Sequence, residues 1–229
     1  SQQIVIDSIV VGEARIGRAV MRSTARPGDQ IFVTGSLGGA AAGLKLIERG
    51  ARVSEPRAVA TGQNSPQEAD GRRQDLADDQ ASDGAIQALL RRQLSPQPRV
   101  GWGMVLGEEQ LATAMIDISD GLSSDLHHLC TESGVGATID SASLPLDENV
   151  KHLCGRRALD PLALALHGGE DFELLFTVAP ENISRLPKCV DGVPISHIGE
   201  ITADPRVIRI REKNHEWDLP AQGFQHFSG

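Results

Sequence analysis

The chain has 229 residues, of which 40% are hydrophobic and 23% charged, a balance that supports globular folding and excludes wholesale disorder. Its 31 acidic and 22 basic side chains leave a formal charge of −9, which argues against a broad nucleic-acid footprint; no run approaches the ~20 apolar residues of a membrane-spanning helix. Cys130, Cys154 and Cys189 form no CxxC pair, and with no secretory pattern in view they read as reduced thiols of a cytoplasmic protein.

In chain order, Ile4-Val5-Ile6-Asp7-Ser8-Ile9-Val10-Val11 reads as a strand with no hairpin partner nearby. Residues 1–12 are therefore expected to be the last strand of an N-terminal domain missing from this sequence, and 13–29 a linker. Residues 30–229 are expected to form a layered α/β (α+β) domain. The turn Pro27-Gly28-Asp29 leads into a buried strand at 30–34. A helix follows, with Leu37, Ala40, Ala41, Leu44 and Ile47 on one face and Gly50 as its C-cap. Residues 53–84 carry Val53, Val59 and Leu76 as their only large aliphatics, which reads as a mobile insertion.

Helices are expected at 85–94 and 102–112, a strand at 114–118, and a helix over 119–132 closed by Gly134. A strand at 137–140 and helices at 148–157 and 161–167 come next. A strand at 171–178, a short helix near 181–186, and strands around 195–201 and 207–211 complete the pattern.

The sharpest local signal is Asp117-Ile118-Ser119-Asp120-Gly121-Leu122. A strand-to-helix turn there brings two carboxylates and a hydroxyl to one rim, a donor set that suits magnesium together with substrate phosphates. Helix capping by Ser119 and Asp120 explains the same residues. In Gly168-Gly169-Glu170-Asp171-Phe172-Glu173-Leu174, paired glycines let a ligand approach and leave Glu170 outside the sheet as a hydrogen-bond acceptor. A glycine cap before a half-exposed acidic strand is the plainer alternative. Gly35-Ser36-Leu37-Gly38-Gly39 lacks the phosphate-loop endings and reads as tight helix–sheet packing. Arg15, Arg18, Arg22 and Arg26 recur in the linker, where an exposed basic turn competes with a phosphate clamp. His127-His128 reads as one exposed and one half-buried histidine of a helix. In Gly223-Phe224-Gln225-His226-Phe227, two aromatics either anchor a polar tail or stack on a flat ring. No covalent-nucleophile motif is present.

These pieces, with Arg18-Ala19-Val20-Met21-Arg22-Ser23, Val33-Thr34-Gly35, Ala42-Gly43-Leu44 and Pro96-Gln97-Pro98-Arg99, occur in an order that resembles the C-terminal two-thirds of the thiamine-monophosphate kinase family. That family lies within the aminoimidazole ribonucleotide synthetase superfamily. The resemblance implies a mixed sheet with packed helices and ATP-dependent phosphorylation of thiamine monophosphate to thiamine diphosphate. It implies Mg2+ ions, with Asp117 and Asp120 as ligands, and ATP contacts from Ser119 and Arg22. Glu170 and Phe224 would contact the thiamine moiety, no protein nucleophile is expected, and the full-length form is expected to be a homodimer. With the family's N-terminal domain lacking, this chain alone is expected to be nearly inactive. Gln93 and Ser95 depart from the family pattern. Two other readings stay open: a superfamily relative with a different substrate, and a non-catalytic binding domain of the same fold.

Overall fold

A computed structural model describes residues 15–53, 83–157 and 159–223. The strand expected at 1–12, nearly all of the insertion at 53–84, and Phe224 lie outside the described residues. The elements are β1 (Gln30–Thr34), α1 (Gly39–Glu48), α2 (83–94), α3 (Val100–Glu108), β2 (Ala112–Ile118), α4 (Leu122–Ser133), β3 (Gly136–Asp140), α5 (Glu148–Arg157), α6 (Pro161–His167), β4 (Glu173–Val178), β5 (Cys189–Val190), β6 (Val193–Thr202), β7 (Ile208–Glu212) and β8 (His215–Asp218). One mixed sheet runs β2-β4-β1-β6-β3-β7-β8, with β5 paired to β6. Only the β3–β7 pairing is parallel among the described strands. This is the mixed α/β architecture that the sequence indicates.

The period-2 geometry of strands divides the sheet's side chains between two cores. Ile31 and Val33 of β1, Leu175 of β4 and Ile198 of β6 pack under α4, against Leu122, Leu126 and Leu129. On the opposite face, Phe32 and Phe176 meet Trp102 and Leu106 of α3. The Phe32 and Phe176 rings stack with centroids 5.7 Å apart, and the Trp102 indole N–H donates to the Val193 carbonyl at 2.9 Å. A third core joins α1, α2, α5 and α6.

The buried face of α1 and several element boundaries differ from the sequence expectation. In α1 the buried face is Gly39, Ala40, Ala42, Gly43 and Leu46, leaving Leu44 and Ile47 at its half-buried margin. The cause is a close crossing: a Cβ on Gly43 would run into the Leu89 carbonyl of α2, so small residues face the neighbour. Helix α3 stops at Glu108 and the chain is already in β2 at Ala112. Strand β4 starts at Glu173, since Glu170 and Phe172 adopt left-handed backbone angles of 64° and 49°.

The acidic residues of the 168–174 motif divide sharply. Asp171 and Glu173 are buried rather than facing water, which corrects the half-exposed strand reading. Glu173 receives the Arg99 guanidinium at two points (Nε–Oε2 and Nη2–Oε1, each 2.6 Å), Arg92 at 3.3 Å and the Thr34 hydroxyl at 2.7 Å. Asp171 accepts the Gly38 and Ala40 N–H groups at 2.7 and 3.1 Å. Two of the N–H groups that a phosphate would need at the start of α1 are thus already taken.

Glu173→Gln is expected to lower unfolding free energy by about 3 kcal/mol, because it leaves Arg99 without its counter-charge in a largely buried place. Urea denaturation measures this. Burial pushes the Asp171 carboxyl up to about 6, against the opposing pull of its two N–H donors and Arg92. Between the ordinary carboxylate value and about 6 the native state binds the proton more tightly than the unfolded chain, so this group's contribution to stability falls as pH rises. Asp171→Asn removes that titration, and its stability penalty is expected to be larger at pH 4 than at pH 7.

Candidate functional site

The turn after β2 is built by one carboxylate. Helix α4 begins at Leu122, three residues later than the sequence pattern predicts, and neither Ser119 nor Asp120 caps it. Instead Asp125 Oδ2, from the first turn of α4, accepts the N–H groups of Ser119, Asp120 and Gly121, each at 3.1 Å. Asp125 is 2% exposed. The turn is therefore folded around an internal acceptor, which frees the Ser119 hydroxyl and Asp120 carboxylate from capping duty.

A cleft of about 450 Å³ opens over this turn. Arg22, Asp117, Ser119, Asp120, Asp125 and His128 line it, with Val20, Met21, Met115 and Ile116. Arg22 arrives because the 15–29 segment runs along the free edge of β2, where the Met115 N–H donates to the Met21 carbonyl at 3.2 Å and the Thr24 hydroxyl to the Thr113 carbonyl at 2.5 Å. Asp117 is exposed, while Ser119 and Asp120 are half-buried. Four of the six residues singled out in the sequence thus share one wall.

The electrostatics of this wall are unbalanced. The Asp125 carboxyl is pushed up to about 6, chiefly by burial, with the charges of Asp120 and Asp117 adding to the rise and the N–H bonds opposing it. Three carboxylates crowd together there, with Arg22 the one arginine among the residues lining the cleft. Asp120, Asp125 and His128 each offer a ligand atom, all within 4.8 Å of one another. The two carboxylates of that group are hard oxygen donors that suit a divalent cation such as magnesium, which binds through one or two carboxylates and retains waters; His128 offers a softer nitrogen, and Asp117, expected as a ligand, lines the cleft outside the group.

Glu170 faces a second cavity, of about 770 Å³, with Ala41, Leu44, Lys45, His167, Gly168, Gly169 and Gly223 among its lining. It accepts a hydrogen bond from the Gln93 side chain. The two cavities adjoin: the Glu170 N–H donates to the Ser119 carbonyl at 2.8 Å and the Phe172 N–H to the Ile118 carbonyl at 2.9 Å. Left-handed geometry at a non-glycine residue costs about 1–2 kcal/mol. Here it turns Glu170 outward and Asp171 inward, so adjacent acids serve different places.

Asp125 escaped sequence reading because its pattern is that of a helix-interior acid, although an acid four residues after Gly121 can reach back over the first turn. His128 lines the cleft as the exposed member of its pair, with His127 half-buried, as expected.

The sequence matches the family model for AIR synthase related protein, C-terminal domain, over residues 98–212. It is 37% identical over 220 residues to thiamine-monophosphate kinase of Escherichia coli O157:H7, covering 95% of this chain and 58% of that protein. The fold is similar to the crystal structure of thiamine-monophosphate kinase from Stenotrophomonas maltophilia K279a, with a TM-score of 0.65 and 32% identity over 85% of this chain and 53% of that one. It is also similar to AaThiL complexed with AMPPCP and TMP, with a TM-score of 0.66 and 30% identity over 91% of this chain and 54% of that one. The chain thus spans little more than half the length of the relatives it matches. It belongs to the AIR synthase related protein family, whose C-terminal domain model it matches.

Proposed function

We propose that this chain carries part of the active centre of an ATP-dependent kinase that phosphorylates thiamine monophosphate to thiamine diphosphate in the cytoplasm. The observation that carries the reading is the shared cleft wall of Arg22, Asp117, Ser119 and Asp120, joined through the Ser119–Glu170 backbone bond to a second cavity. The similarity to kinases of that name, and to AaThiL complexed with AMPPCP and TMP, supports it.

Phosphoryl transfer asks a protein for positioning and charge neutralisation rather than covalent chemistry. Asp117 and Asp120 are the residues to hold magnesium, which supplies the positive charge that a −9 chain lacks beside phosphate oxygens. The Arg22 guanidinium and Ser119 hydroxyl donate hydrogen bonds to the nucleotide's phosphate tail. Glu170 accepts from an amino group on the thiamine ring system, with Phe224 the residue to lie against a ring. The exposure of Asp117 leaves the acidic wall open to water on this chain, so turnover by the 229 residues alone is expected to be slow. A further, N-terminal domain and homodimer formation belong to the same proposal.

Calorimetric titration of AMPPCP with magnesium tests the metal-holding role. Asp117→Asn and Asp120→Asn are each expected to weaken binding by about ten- to hundredfold, the worth of a charge-assisted contact. Neither is expected to shift the urea midpoint appreciably. Undiminished binding in both variants would overturn the reading, as would a chain that binds the nucleotide but not thiamine monophosphate. Asp125→Ala leaves three N–H groups without their acceptor and is expected to cost about 1–3 kcal/mol of stability, with weaker magnesium-dependent nucleotide binding.

A further inference from the structure

The 219–223 segment crosses the first two turns of α4 before the chain reaches the Glu170 cavity. Leu219 is buried, and its N–H donates to the Ile208 carbonyl at 2.8 Å. Its own carbonyl lies 2.7 Å from His127 Nε2. A carbonyl can only accept, so Nε2 carries the proton. The side chains of Pro220, Ala221 and Gln222 are exposed. Apolar burial therefore does not hold this stretch down, and polar groups do. The Ser123 hydroxyl donates to the Gln222 carbonyl at 2.7 Å and accepts the Gln222 N–H at 3.3 Å. His167 Nδ1 sits 2.9 Å from the same hydroxyl and 3.2 Å from the same carbonyl.

Ser123 is fully buried in α4. A serine inside a helix ordinarily bonds back to the carbonyl one turn earlier. Here it reaches a segment 99 residues away instead. Downstream of this clamp, Gly223 lines the Glu170 cavity. It is seated tightly: a Cβ there would lie 2.6 Å from the Asp120 carbonyl and 2.8 Å from Ser124 Cβ. Gly223 thus forms a wall of one cavity while resting on the turn that shapes the other.

We propose that Ser123, backed by His167, is a positioning residue for the Glu170 cavity. It clamps Gln222 and so fixes the wall that Gly223 lends to the cavity. Its role is in affinity for the ring-bearing substrate, which it does not touch. The identity of that substrate as thiamine monophosphate rests on the functional reading above; the clamp does not.

Ser123→Ala in the 229-residue chain is expected to raise the dissociation constant for thiamine monophosphate about tenfold, the loss of one buried hydrogen bond of ~1.4 kcal/mol. The constant for AMPPCP with magnesium is expected to stay within about twofold, since the cleft wall is built by Asp125. Amide hydrogen exchange across 219–223 is expected to quicken while that of β1 and β4 does not. Should Ser123→Ala fold poorly, the pair His167→Leu and His167→Asn carries the test: leucine removes the donor, whereas asparagine restores an N–H near the Nδ1 position and is expected to recover affinity and protection. Equal losses for both ligands, or unchanged affinity and unchanged exchange, overturn the inference. A wild-type chain that fails to bind thiamine monophosphate overturns the functional reading and the ligand named here. Wild-type binding with unaltered affinity in Ser123→Ala overturns this inference alone.

Discussion

The pairing of β2 with β4 is the constraint on which the site depends. Its register sets Asp117 opposite Leu174 and Ile118 opposite Glu173. Beyond the strand ends the same antiparallel exchange continues, from Phe172 to Ile118 and from Glu170 to Ser119. Two motifs separated by some fifty residues are thereby zipped together as neighbours. A slip of β2 by one residue would reverse the facing of every side chain it carries. Ile118 would leave the core, and Asp117 would leave the cleft.

The acids around this junction show how one residue type is spent in different ways. Glu173 and Asp171 are buried with enough donors to compensate for lost hydration, so they fasten α1, the Pro96-Gln97-Pro98-Arg99 segment and the sheet together. Asp125 is buried with three N–H donors and two neighbouring carboxylates, and burial together with the charges of Asp120 and Asp117 raises its affinity for a proton. Asp117 and Asp120 stand over it on an accessible wall. Charges that repel one another at a cleft have no merit for stability. They are consistent with a fold that leaves the compensation to a ligand.

Elements whose information is local were legible. The β-branched and aromatic runs of β1 and β6, the Asp-Pro start of α6 and the glycine after α4 act through nearest neighbours, and they stand where the pattern places them. What could not be read is what depends on a distant partner. Ser119 looks like a helix cap until Asp125 is seen to take the N–H groups that a cap would serve. Glu173 looks like a surface acid until Arg99, 74 residues earlier, is found against it. Strand β8, entirely exposed and rich in charge, has no apolar signature and forms by pairing with β7 through Arg211 and Glu216. Glu170 is marked by the paired glycines before it and Arg22 only as one of four recurring linker arginines; family resemblance, not local sequence, decides between their functional and plainer readings.

The turn at 119–121 belongs to both cavities at once. On one side its side chains face the acidic cleft. On the other its backbone carries Glu170 through the Ser119 carbonyl, and the Asp120 carbonyl lies so near Gly223 that a Cβ there would come within 2.6 Å of it. Protein interiors are packed closely enough that a sub-ångström shift has nowhere to dissipate. The turn can therefore serve both cavities only from one position, and Asp125 fixes that position from within by accepting its three N–H groups. Glu170 is anchored to it through the Ser119 carbonyl, and the fit over the Asp120 carbonyl leaves no room for a Cβ at residue 223.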